Sequence, residues 1–122
     1  MSDTELAEVF LRAIERADKQ AIRACYAENA RIWHNFDGVH QTVEENLATL
    51  EWLTSVVSDR RYEIVRIEAL PDGFLLQYVM NGTLKDGKRL VMPACVICTV
   101  TQGRITQLQE YLDPTRMLKY VG

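Results

Sequence analysis

Apolar residues recur at helical spacing near the N-terminus, where Leu6, Val9, Phe10, Ala13, Ile14 and Ala17 follow the i, i+3, i+4, i+7 rule. Ser2 and Glu5 precede that stripe with capping-box spacing, so a first helix is predicted from there. Asp18 can cap a second, shorter helix with Ala21, Ile22, Cys25 and Tyr26 on one face, ending around Glu28 and Asn29. From Ala30 to Phe36 the period changes to two, with Ile32, His34 and Phe36 sharing one face of a strand that Asp37 and Gly38 close. Thr42 with Glu45 repeats the capping box, and Val43, Leu47, Leu50, Leu53 and Val57 then mark a third helix.

The remainder reads as an antiparallel meander: Tyr62 to Leu70, Phe74 to Leu84, Leu90 to Thr101 and Arg104 to Leu112, separated by Gly- and Asp-containing turns. A hairpin turn at Asn81-Gly82 would leave very unequal partners, so Gly82 is read as a bulge or bend. Asp113 before Pro114 predicts a terminal helical turn over Thr115 to Tyr120. Helices followed by a meander indicate an α+β domain, and a twisted sheet wrapped around helices leaves a natural cavity. The strand Leu90 to Val100 is apolar on both faces, which predicts a second copy of the chain covering the face opposite the helices: a homodimer.

Composition narrows the function classes. The 122 residues are 48% apolar, enough for one domain with its own core. Fourteen Lys and Arg against 17 Asp and Glu give a formal charge of −3 without runs, which argues against nucleic acid as a partner. No apolar run is long enough to span a membrane, and the start is polar and acidic, unlike a signal peptide, so a cytoplasmic location is the expectation. The odd cysteine count (Cys25, Cys95, Cys98) points to reduced core thiols. Cys95 and Cys98, three apart on a strand, face opposite ways and cannot share a metal. His40 reads as a surface residue, and Glu44 and Glu45 as helix-dipole partners.

The segment Cys25-Tyr26-Ala27-Glu28-Asn29-Ala30-Arg31-Ile32-Trp33-His34 and the stretch from Gly103 through Asp113 resemble the first and last strands of the nuclear transport factor 2-like superfamily, in particular its SnoaL-like branch. The resemblance implies a cone-shaped, cystatin-like fold with N-terminal helices on a curved, mainly antiparallel sheet. That superfamily holds ketosteroid isomerases, polyketide cyclases, limonene epoxide hydrolases, dehydratases and non-catalytic members, so chemistry must come from the site. His34 matches the position of the isomerase base, while the oxyanion-binding tyrosine of those enzymes matches Phe10, which has no hydroxyl. Glu110 matches one aspartate of the epoxide hydrolases, whose charged partners match near Gln77, Val79 or Asn81, none of them ionisable.

His34 and Glu110 are therefore the candidate catalytic pair. His34 lies between Ile32 and Phe36, where an apolar surrounding would keep the imidazole neutral, as a general base requires. Glu110 lies between Leu108 and Leu112, where a buried carboxylate calls for donors or a cation; the other phase of the strand would bury Ile105 and Tyr111 and leave Glu110 solvated. Phe10, Tyr26, Ile32, Trp52, Met92, Leu108 and Leu112 are candidate walls of a ligand pocket, with Phe10, Tyr26, Trp52 and Met92 equally readable as plain core; Gln77, Val79 and Asn81 share one face of their strand, which is either a further pocket wall or a solvent-exposed face. Replacing His34 or Glu110 by an apolar residue is expected to raise or barely change stability while weakening ligand binding. Two readings stay open: a proton-transfer enzyme of isomerase, cyclase or dehydratase type acting on a small apolar molecule without metal or cofactor, or a non-catalytic ligand-binding or dimerisation module.

Overall fold

Ser2 caps α1 (Asp3–Arg16) with the reciprocal box its spacing predicts, its Oγ accepting from Glu5 N while Glu5 Oε1 accepts from Ser2 N. Asp18 Oδ1 accepts from Ala21 N at the head of α2 (Lys19–Cys25). Thr42 and Glu45 build the second box, on α3 (Val43–Val56). The computed structural model describes residues 1–118; the end of the predicted terminal turn, Lys119 and Tyr120, lies outside the described residues.

Six strands, β1 (Tyr26–His34), β2 (His40–Gln41), β3 (Val57–Leu70), β4 (Gly73–Leu84), β5 (Arg89–Thr101) and β6 (Arg104–Leu112), form one sheet in the order β2-β1-β6-β5-β4-β3, followed by α4 (Thr115–Leu118). Every neighbouring pair is antiparallel except β1 and β6, which run parallel. The N-terminal helices pack on one face of this curved sheet, as the α+β reading requires. The helix predicted to reach Glu28 stops at Cys25, because Tyr26 already pairs with Ile105 and turns its ring into the core.

Two irregularities decide which residues face inward. Opposite Gly82, β3 carries two residues, Asp59 and Arg60, with Asp59 at φ 51°. The bulge expected at Gly82 therefore lies on its partner, and β4 runs straight through Asn81-Gly82. Glycine is needed there because a Cβ would sit 2.3 Å from Val57 Cγ1. On β6 an extra residue at Thr106 shifts the pairing between Thr99–Gln107 and Val100–Ile105, so Ile105 and Leu108 are both buried although they stand three positions apart and would face opposite ways on a regular strand. Tyr111 is left on the outer face.

The inward residues of β4 are Phe74, Leu76, Tyr78 and Met80, and those of β5 are Leu90, Met92, Ala94, Val96 and Cys98. The other face leaves Val65, Val91 and Tyr111 exposed. The edge strand β3 carries Arg60, Arg61, Glu63, Arg66 and Glu68, charges that discourage strand addition.

Candidate functional site

The parallel pairing of β1 with β6 sets His34 directly beside Glu110. Asn35 locks that register: its N–H donates to Glu110 O, and its Oδ1 accepts from Leu112 N, both at 3.0 Å. His34 Nε2 lies 3.1 Å from Glu110 Oε1, and the Tyr78 hydroxyl donates to Glu110 Oε2 at 2.6 Å. Each carboxylate oxygen thus has its own donor, the compensation a half-buried charge demands. The imidazole is 11% and the carboxylate 16% exposed, so the pair is screened from bulk water but not sealed. Among the described residues His34 Nδ1 has no hydrogen-bond partner.

Both groups line a cavity of about 240 Å³ between the sheet and the helices. Its walls are apolar: Phe10, Ile32, Leu76, Met92, Val96 and Leu108 are among them. Phe36 and Asp37, both exposed, lie at its opening, and Gln41, Asn46 and Thr49 form a hydrogen-bonded polar rim, Asn46 donating to Gln41 and Gln41 to Thr49. The space is smaller than the roughly 300–1,000 Å³ typical of drug-sized ligand sites, which favours a compact ligand.

Burial disfavours the His34 imidazolium, but the hydrogen bond and charge of Glu110, helped by Asp37, outweigh it, so the pKa is raised above 6.5. This corrects the expectation of a histidine held neutral by apolar neighbours, because the nearest neighbour is a carboxylate. Burial pushes the Tyr26 and Tyr78 phenols well up, with the Glu110 charge adding to both. Burial also raises Tyr62, to about 12, against the lowering effect of Arg60, which donates to its hydroxyl at 3.2 Å.

The structure brings together His34, Glu110, Phe10, Tyr26, Ile32, Trp52, Met92, Leu108 and Leu112. It does not bring Gln77, Val79 or Asn81 to them. These three alternate with the buried Leu76, Tyr78, Met80 and Gly82; Gln77 and Val79 line a shallow hollow on the outer face with Val65, Pro93, Cys95 and Tyr111. Sequence reading missed Tyr78 and Tyr62, although Phe74, Leu76, Tyr78 and Met80 make the more apolar alternate set of β4. Cys95 faces that outer hollow while Cys98 is buried, and all three cysteines are free thiols. His40 is exposed on β2. Among the described residues no three His, Cys, Asp or Glu side chains cluster as a metal site, and no helix is long and apolar enough to cross a membrane.

The family model of the SnoaL-like domain matches residues 7–108. No curated protein matches the sequence. Among solved structures, IdmH from Streptomyces antibioticus, a proposed polyketide cyclase, is 18% identical with a TM-score of 0.87, over 98% of this chain and 97% of that one. An NTF2-like protein of unknown function from Burkholderia pseudomallei is 15% identical with a TM-score of 0.83, over 99% and 98%. An LEH-like epoxide hydrolase from M. tuberculosis is 21% identical with a TM-score of 0.74, over 96% and 86%. Likeness at such identities is likeness of fold, and these neighbours share the helices-on-curved-sheet architecture. The matched segment carries α1 through most of β6 and stops two residues short of Glu110, and on that match this chain belongs to the SnoaL-like domain family.

Proposed function

We propose that the protein is a proton-transfer enzyme, of isomerase, cyclase or dehydratase type, acting without metal or cofactor on a small, mainly apolar molecule held in the 240 Å³ cavity. The observation that carries this reading is the His34 Nε2–Glu110 Oε1 contact at 3.1 Å on the cavity wall. Glu110 takes the Nε2 hydrogen, which leaves the Nδ1 lone pair of the neutral ring as the base. Nδ1 accepts a proton from a ligand C–H bond, whose electron pair enters the ligand's π system. The imidazolium is stabilised by the Glu110 carboxylate and returns the proton to another ligand atom, so the cycle consumes no oxidant or reductant. Asn35 acts as a positioning residue through the strand register.

The test is exchange with solvent deuterium on a panel of small apolar carbon acids (ketones, β-keto esters, nitroalkanes), followed by proton NMR. Catalysed incorporation is expected for part of the panel and is expected to fall about 10²- to 10⁴-fold in a folded His34→Gln variant. Incorporation undiminished by that change, or none above the buffer rate with any carbon acid, contradicts the reading in favour of a ligand-binding module.

The outer sheet face supports a homodimer as its second element. Val65, Val91 and Tyr111 are 60%, 55% and 42% exposed there, next to Val79, Pro93 and Cys95, and an apolar strip of that kind is covered most simply by its own copy. Sedimentation at micromolar concentration is expected to give twice the 14.0 kDa of one chain, and Tyr111→Lys to shift the protein to monomer. A wild-type monomer would remove the dimer from the account.

A further inference from the structure

Negative charge dominates the ionisable groups on the cavity wall. Among the described lining residues Asp37 and Glu110 carry carboxylates, His34 carries the imidazole, and no Lys or Arg is present. The other titratable groups there are the phenols of Tyr26, Tyr62 and Tyr78, which burial keeps uncharged. The helices α1 and α3 and the strand β5 contribute only uncharged side chains. The two carboxylates differ in what is left for a ligand. Glu110 is committed, Oε1 to His34 and Oε2 to Tyr78. Asp37 is exposed at the opening; its Oδ1 accepts from Val39 N at 2.9 Å, and its Oδ2 has no partner among the described residues. Phe36, 44% exposed beside it, has its ring 5.4 Å from the His34 imidazole. A carboxylate oxygen and an aromatic ring at the mouth of an apolar cavity suit an ammonium group whose apolar body lies inside.

We propose that the cavity takes compact amines in their protonated form, the ammonium held at the opening by Asp37 and Phe36 and the apolar body against the inner walls. The assignment rests on the cavity being the ligand site, as proposed above, and deepens that reading by naming the ligand class. The ligand's charge also serves the base. Glu110 and Asp37 both favour the His34 imidazolium, so a ligand cation competes with the His34 proton for their field. By linkage, binding an ammonium lowers the proton affinity of the ring and delivers the neutral form that proton transfer needs. A neutral ligand brings no such charge, and an anion acts in the opposite direction.

Calorimetric titration of the full chain with phenethylammonium, 2-phenylethanol and phenylacetate, three ligands of similar size and different charge, tests the assignment. An alkylammonium stays charged between about pH 6 and 8, so its own titration does not intrude. At about pH 8 the wild type is expected to bind the amine about tenfold more tightly than the alcohol, from an ion pair worth up to about fivefold and a ring contact of similar size. Phenylacetate is expected to bind more weakly than the alcohol. Asp37→Asn keeps the side-chain oxygen that accepts from Val39 N and changes an exposed residue, so the variant should unfold at the same denaturant concentration as wild type. In it the preference for the amine is expected to fall to about two- to threefold, with alcohol binding unchanged. A second readout is the NMR titration midpoint of the His34 ring, which saturating amine is expected to lower by more than saturating alcohol does. Equal affinities for amine and alcohol, a tenfold preference retained in Asp37→Asn, or equal midpoints with the two ligands would each overturn the proposal. The reading it rests on fails differently. Binding of none of the three removes the cavity as the ligand site and this assignment with it, whereas an alcohol bound as tightly as the amine leaves the cavity as the ligand site and removes the ammonium alone.

Discussion

Replacing Gly73 with alanine is expected to destabilise the fold by about 2–4 kcal/mol. A Cβ at that position would stand 1.8 Å from Cys98 O, 2.8 Å from Cys98 C and 3.1 Å from Thr99 Cα. Those atoms are backbone of β5, and Cys98 is itself buried, so relief requires moving a central strand rather than turning a side chain. Gly73 closes the turn that pairs Leu70 with it and opens the long β4–β5 ladder, whose register places Tyr78, Met92 and Val96 on the cavity wall. Gly87→Ala serves as the control: no atom lies within 4 Å of its added Cβ, and the strain comes only from φ +84°, worth about 1 kcal/mol. Urea unfolding of both variants checks the contrast. Equal losses would show that the strand backbones are not held as described.

Glu110→Leu is expected to cost about 2–4 kcal/mol, because it leaves the His34 imidazole and the Tyr78 hydroxyl without their common partner. This reverses the expectation from sequence, where His34 and Glu110 stood as two separate polar groups in an apolar wall and either could be replaced at little cost. In the structure they are each other's compensation. The double variant His34→Leu/Glu110→Leu should therefore be more stable than Glu110→Leu alone, and the non-additivity in chemical denaturation measures the coupling. Strict additivity would mean the contact contributes nothing. The pairing also has a pH signature. His34 is raised above its unfolded value of 6.5, so its contribution is fully present below pH 6.5 and is lost as pH rises through the folded pKa. Under the proposed proton transfer, turnover is expected to follow the opposite limb, since only the neutral ring accepts a proton.

Most of the architecture could be read from the chain, and particular residues show why. Ser2–Glu5 and Thr42–Glu45 are local signals whose chemistry is complete within four residues, so both helices start where predicted. The end of α2 and the start of β1 could not be read so well, because Tyr26 is drawn into the sheet by Ile105, a partner 79 positions away. His34, Glu110 and most of the apolar wall follow from the period of two on β1 and β6. Of the two readings open for the shared face of Gln77, Val79 and Asn81, pocket wall or solvent-exposed face, the structure shows the second. The strand's own pattern points the same way, since its polar residues Gln77, Asn81 and Thr83 share one face and Phe74, Leu76, Tyr78 and Met80 the other. The sign of the His34 shift needed a pairing between strands that no local pattern contains.

The central claim, that Glu110 sets the charge state of a cavity histidine, is tested most directly by NMR titration of the His34 ring in wild type and in Glu110→Gln. The chain has 2 histidines and His40 is exposed, so the signals can be separated by a His40→Gln background. In wild type the midpoint is expected above 6.5. Without the carboxylate, burial is opposed only by the more modest effect of Asp37, and the midpoint should fall below 6.5. Equal midpoints in the two proteins, or a wild-type value below 6.5, would contradict the account.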